Sequence, residues 1–159
     1  MTKNIILTKT EIEDIYTLFQ FQLDKEAAYN AAFMPKESTD EGAYIEKYKK
    51  HLADPTINMR TIKMDDKIVG SIAKYMMGGE AEITYWIDKK FWGKGIATAA
   101  LKEFLQMEKT RPIHGRVAFD NHGSQKVLEK CGFVKIGSDR GFANARQMDV
   151  EEYIYKRSV

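Results

Sequence analysis

Tyr85–Leu105 reads YWIDKKFWGKGIATAALKEFL, and the reading of its middle decides the fold. Its first residues belong to a strand. From Ile96 to Glu108 the pattern is helical, with Ala97, Ala100, Leu101, Phe104 and Leu105 along one face. Between the two lie Gly93 and Gly95, one on each side of Lys94. Gly-x-Gly where a strand hands over to a helix marks backbone that approaches a phosphate, because the helix N-terminus offers unpaired N–H groups and a favourable dipole. Two phosphate loops are excluded by the residues themselves. The nucleotide P-loop needs Lys and then Ser or Thr after its last glycine, and Ile96 follows Gly95. The dinucleotide fingerprint needs a third glycine where Thr98 stands. It also needs an acid about 20 residues on, where the chain reads Pro112-Ile113-His114.

Outward from this stretch the chain alternates its period. Upstream, Glu80–Asp88, Lys67–Met77 and Met59–Met64 read as strands, joined by the hairpin signal Gly78-Gly79 and the tight turn Asp65-Asp66. Before them come a strand at Asn4–Lys9 and a helix opened by a Thr10/Glu13 capping box. A short helix follows at Lys25–Ala32, and then a helix opened by Ser38/Glu41 and stopped at Asp54-Pro55. Downstream, Pro112–Phe119 reads as a strand, Asn121–Cys131 as a helix, and Phe133–Ile136 and Gln147–Tyr155 as strands. Hairpins come first and crossover units later. That order predicts an α/β (α+β) fold with a mixed sheet, antiparallel at its start, with a parallel pair bridged by the Ile96 helix.

Composition narrows the function. The 159 residues suffice for one domain with its own core, expected over 1–159 with no interdomain linker. A formal net charge of +2, from 25 basic and 23 acidic side chains, argues against nucleic acid as the main partner. No apolar run is long enough to span a bilayer, and the N-terminal MTKNIILTKTEIED is unlike a signal peptide. The single cysteine, Cys131, gives no disulfide framework and fits a reducing, cytoplasmic setting. Three scattered histidines make no metal-ligand spacing, so no metal is expected.

A second motif gives the glycine loop its context. Lys90-Phe-Trp92-Gly93-Lys94-Gly95-Ile96-Ala97 resembles motif A of the GNAT superfamily of acyl-CoA-dependent N-acetyltransferases, with Lys90 where Gln or Arg is usual. Asn121-His-Gly-Ser124-Gln-Lys-Val-Leu128-Glu-Lys-Cys-Gly132-Phe133 resembles the family's motif B in full and follows one strand later, where the family places it. Gly-Glu80-Ala-Glu82-Ile-Thr-Tyr-Trp86, with Phe-Trp-Gly-Lys-Gly after it, is similar to the RimJ/RimL-like branch. The resemblance implies a mostly antiparallel, twisted sheet of about six to seven strands with flanking helices and a splayed central parallel pair. It implies acetyl-CoA as co-substrate and a small-molecule, peptide or protein amine as acceptor, in a monomer or homodimer. Lys90, Trp92, Gly93, Lys94, Gly95, Ile96 and Ala97 would hold the CoA pyrophosphate, and Asn121 and Ser124 the pantetheine. A strand bulge near Trp86 and Ile87 would open the sheet there.

Such a transfer needs a base for an amine of pKa about 10.4, a donor for the charge on the acyl oxygen and a donor for the leaving thiolate. Glu82 is the candidate base, with Thr84 and Trp86 on its strand face and Ile83, Tyr85 and Ile87 on the other. A half-buried glutamate on a sheet is the plain alternative. A backbone N–H near Trp86 or Ile87 is the acyl-oxygen donor. Ser124 is chosen over any tyrosine for the thiolate, against a purely local hydrogen bond. Asn121 reads as an N-cap, a pantetheine ligand, or both. Cys131 reads as core, and Lys126 and Lys130 as solvated. An acyl-CoA-binding module without transfer activity is the competing reading; it would need neither Glu82 nor Ser124.

Overall fold

The structure, a computed structural model, describes residues 4–159. The chain runs β1 (Ile5–Lys9), α1 (Ile12–Gln22), α2 (Lys25–Ala31), α3 (Glu41–Ala53), β2 (Asn58–Met64), β3 (Lys67–Met77), β4 (Glu80–Ile87), α4 (Ile96–Met107), β5 (Ile113–Ala118), α5 (His122–Lys130), β6 (Val134–Ala143) and β7 (Met148–Arg157), with a short 3-10 turn at Lys89–Phe91. The strands form one seven-stranded sheet in the order β1-β2-β3-β4-β5-β7-β6. Every neighbouring pair is antiparallel except β4 and β5, which the α4 crossover makes parallel.

That parallel pair is short. It joins Ala81 to Ile113, Glu82 to His114 and Ile83 to Gly115, and then stops. Beyond Ile83, β4 stays with β3 through Ile87, while β5 stays with β7 through Ala118. The two strands part and leave a gap in the middle of the sheet. The bulge expected near Trp86 is not what opens it, because the β3–β4 register runs unbroken from Met77/Glu80 to Gly70/Ile87. Register shifts occur instead at Ile62/Lys63 and Lys135/Gly137. The gap arises because each central strand follows its outer partner. Gly70 lets β3 stay close to β4, since a Cβ there would come within 2.1 Å of the Trp86 carbonyl oxygen.

Strand alternation fixes what each face does. Ala81, Ile83 and Ile87 of β4 are buried in the main core with Ile62 and Ile72, under Leu101 and Phe104 of α4 and Leu128 of α5. Each of these Ile, Leu and Phe side chains stabilises by about 1.5–3 kcal/mol on full burial. On the other face α1 and α3 pack Ile15, Leu18 and Ile45 against Met59 and Ala73.

Local signals moved at three points. Asp14 Oδ2 accepts from the Glu11 N–H (2.9 Å) and from Thr61 Oγ1 (2.9 Å), so the Thr10 hydroxyl pairs with Thr61 (3.0 Å) and does not cap α1. Asp40, not Ser38, caps α3 by accepting from the Ala43 N–H (3.0 Å). The sixth strand runs on to Ala143 where glycine and polar residues read as loop, because β7 pairs with it along its length.

Candidate active site

The glycine loop is built for its left-handed backbone. Gly93 has φ +74° and Gly95, the N-cap of α4, has φ +75°, values that side chains with a Cβ rarely adopt. Trp92 locks the loop to the end of β4 by donating its indole N–H to the Ile87 carbonyl (2.9 Å). In α4 the first intrahelical bond runs from the Ala99 N–H to Gly95 (3.1 Å), so the N–H groups of Ile96, Ala97 and Thr98 have no partner within the helix. All three residues, with Gly93 and Gly95, line a cavity of about 610 Å³. That lies within the range of about 300–1,000 Å³ typical of cofactor and ligand pockets.

The cavity reaches into the gap between β4 and β5. Asp88 donates its N–H to Val69 of β3 (2.8 Å). Successive residues of a strand turn their backbone groups to opposite sides, so Trp86 also faces β3 while Ile87 and Tyr85 face the gap. Of the two N–H groups, that of Ile87 and not that of Trp86 is therefore turned toward the gap.

Opposite lies α5. Asn121 caps it with its side-chain oxygen, accepting from the Ser124 N–H (3.3 Å), and its amide donates to the Asn30 carbonyl of α2 (3.3 Å). One hydroxyl hydrogen bond of 2.6 Å joins Ser124 Oγ to the Tyr85 phenol across the cavity wall. Burial pushes the Tyr85 phenol above its ordinary pKa, against the opposing effect of the Ser124 bond. The sequence reading set tyrosines aside. The signal was in the strand period, which turns Tyr85 away from Glu82 and toward α5.

Glu82 stands on the opposite face of β4, at the middle of the three paired positions, and is only 3% exposed. Its Oε1 lies 3.7 Å from Arg116 Nε of β5, and neither buried atom has a hydrogen-bond partner among the described residues. Burial raises the Glu82 carboxyl above its ordinary range, with Arg116 and then His114 pulling it back. Arg116 Nη1 also meets Glu152 (3.2 Å) and Asp139 (3.6 Å). A carboxylate this dry gains from binding a proton, as a general base must.

Most sequence-derived candidates meet at this cavity. Trp86, Ile87, Trp92, Gly93, Gly95, Ile96, Ala97, Asn121 and Ser124 line it; Glu82, Lys90 and Lys94 do not, Glu82 lying buried on the other face of β4 against Arg116. Lys90, within the 3-10 turn, lines a separate hollow with Thr17, Lys67 and Asp88. Lys126 and Lys130 are exposed, as read, and stand at the cavity's lining on the α5 side. Cys131 is buried, with Sγ 3.6 Å from the Thr98 carbonyl. Among the described residues no group of three His, Cys, Asp or Glu side chains could hold a metal, and no helix is long and apolar enough to cross a membrane.

A parted parallel pair beside a glycine-opened helix, with paired hydroxyls lining the same cavity, makes a cleft suited to a phosphate-bearing ligand. Residues 4–134 match the acetyltransferase (GNAT) domain family, and the chain belongs to it: an acyl-CoA-dependent acetyltransferase with acetyl-CoA as co-substrate. It is 26% identical to the uncharacterized N-acetyltransferase p20 of Bacillus licheniformis, over 97% of this chain and 92% of that one. It is 33% identical over 98 residues to the putative ribosomal N-acetyltransferase YdaF of Bacillus subtilis (strain 168), 56% of this chain and 54% of that one. Among solved structures, the Microcin C7 self-immunity acetyltransferase MccE, in complex with acetyl-CoA and AMP, shares the fold with a TM-score of 0.81. The identity is 19%, over 98% of this chain and 92% of that one. RimL, a ribosomal L7/L12 alpha-N-protein acetyltransferase in complex with coenzyme A, has a TM-score of 0.78 at 19% identity, over 100% and 96%.

Proposed function

We propose that the protein is a cytoplasmic N-acetyltransferase of the RimJ/RimL-like branch. A single domain spanning 1–159 moves the acetyl group from acetyl-CoA to a primary amine by direct attack in a ternary complex. The observation that carries this is the placement of Glu82 and the Tyr85–Ser124 pair on opposite faces of β4, Glu82 within the stretch paired to β5 and Tyr85 just beyond its end. A proton can be taken on one face and given on the other without the two groups meeting.

Acetyl-CoA supplies an activated thioester carbonyl. The free N–H groups at the start of α4, with Gly93 and Gly95, hold its pyrophosphate, and Lys126 and Lys130 add positive charge on the α5 side. Asn121 shapes the wall along the pantetheine. Ile87 donates its N–H to the acyl oxygen. Glu82 takes the ammonium proton, and its dry setting matches its affinity for a proton more closely to that task. Ser124 gives its proton to the departing sulfur and regains one from solvent through the open cavity, while the Tyr85 hydroxyl holds its Oγ in place across 2.6 Å.

The acceptor arrives on the Glu82 face. Two acids that could have met a cationic acceptor, Asp24 and Glu26, are held by Lys89 instead, at 3.9 and 2.7 Å. The experiment is an acetyl-transfer assay over polyamines, amino acids, aminoglycosides and peptide N-termini, reading the mass shift of one acetyl group on the product. Transfer to one class supports the reading and names the acceptor. Tight CoA binding with no transfer to any class would leave the inactive acyl-CoA-binding module as the better reading.

A further inference from the structure

The two facing walls of the cavity come from distant parts of the chain and are joined by a residue from a third. One wall is α2, where Ala27, Asn30 and Ala31 face the cavity; the other is the corner between β5 and α5, with Asp120 and Asn121. Helix α2 has seven residues and only Ala27 of them is buried, so packing alone anchors it weakly. The turn between β6 and β7 supplies Arg146, whose side chain is 4% exposed. Its Nη1 and Nη2 donate to both carboxylate oxygens of Asp120 (2.7 and 2.8 Å), and its Nε donates to the Tyr29 carbonyl of α2 (2.8 Å). The guanidinium also lies over the Tyr29 ring, 4.3 Å from its centroid. Every nitrogen of the fork is engaged, and the planar, bidentate shape is one that lysine cannot reproduce. Beside it, the Ala145 N–H donates to Ala32 (3.2 Å) and the Asn144 amide to Met34 (2.7 Å). At the other end of α2, Lys89, three residues before Trp92, meets Glu26 at 2.7 Å.

Helix α2 is therefore strapped at both ends to the segments that carry the cavity. We propose that Arg146 is a positioning residue for the acyl-CoA cavity: by tying α2 to the N-terminus of α5 it sets the spacing of the two walls, and so the affinity for the co-substrate. It touches no reacting atom. The inference rests on the reading of this cavity as the acyl-CoA site.

The test compares wild type, Arg146→Ala, Arg146→Lys and the Arg146→Ala/Asp120→Asn double variant with Thr61→Ala. The last loses a buried hydrogen bond to Asp14, away from the cavity, and serves as a destabilised control. Calorimetry gives Kd for CoA, steady-state kinetics gives KM for acetyl-CoA and kcat, and thermal unfolding gives Tm. In Arg146→Ala, Kd and KM rise about tenfold while kcat stays within about twofold, the signature of lost uniform binding. Arg146→Lys recovers only a small part of the affinity, and the double variant is no weaker than Arg146→Ala, because both substitutions break one fork. Thr61→Ala lowers Tm and leaves Kd unmoved. If Arg146→Ala lowers Tm yet leaves Kd and KM at wild-type values, Arg146 only staples the fold and the inference is overturned. Should Arg146→Ala fail to fold, an unmoved Kd in Arg146→Lys overturns it equally. Wild-type protein that binds no CoA overturns the cavity reading itself, and the inference with it.

Discussion

Glu82 and the Tyr85–Ser124 pair make opposing demands on the same strand, and each can be tested by one atom. Replacing Glu82 with Gln keeps the shape and removes the base, so kcat/KM should fall by about 10²–10⁴-fold. The acid limb of the wild-type pH–rate profile, which reports deprotonation of Glu82 above the usual carboxylate range, should vanish with it. Stability should move the other way. A carboxyl whose folded pKa is raised costs nothing below its unfolded pKa. Stability is lost as pH rises through the folded one. At pH 8 the Gln variant should therefore melt no lower than wild type, and an equal loss of activity and Tm would count against the base. For the pair, Tyr85→Phe and Ser124→Ala should each lower kcat by about 10-fold or more, with the double variant close to Ser124→Ala alone, since one shared hydrogen bond is lost either way. Additive losses would mean separate roles.

At the scale of elements, the site depends on how β3, β4 and β5 lie together. Gly70 is the closest fit, because any Cβ there meets the Trp86 carbonyl at 2.1 Å. Gly70→Ala must push β3 from β4 and should cost about 1–3 kcal/mol in chemical unfolding. It should also weaken CoA binding, since Ile87 shares that register with Gly70. A neutral result would show that the ladder relaxes without reaching the site. Element boundaries were legible where side-chain period and backbone need agree. The left-handed Gly78-Gly79 turn, with φ +58° and +82°, and the α4 face are examples. They were misread where a neighbour decides: Thr10 looks like a cap, but its hydroxyl is taken by Thr61 from β2, 51 residues away. The far half of β6, rich in glycine and polar residues, is a strand only because β7 lies beside it.

For the whole molecule, the cavity joins the sheet gap, the α4 N-terminus, α2 and α5, so filling it should stabilise the fold. At a hundredfold excess over Kd, CoA should add about 2.7 kcal/mol, or roughly 5–11 °C in Tm for a chain of this size. Scanning fluorimetry with CoA, ATP and NAD measures this. A shift with ATP or NAD and none with CoA would contradict the acyl-CoA reading. By itself the sequence determined the order of elements, the Gly93/Gly95 loop, the α5 motif from Asn121 and the alternation that puts Glu82 and Tyr85 on opposite faces of β4. These are local properties, set by backbone freedom and side-chain period. The tertiary structure alone decided that the parallel pairing ends after Ile83, that Tyr85 meets Ser124, that Lys90 turns away from the cavity and that Arg146 ties α2 to Asp120. Each of these is a meeting of residues from separate segments, fixed by packing that no single stretch of chain contains.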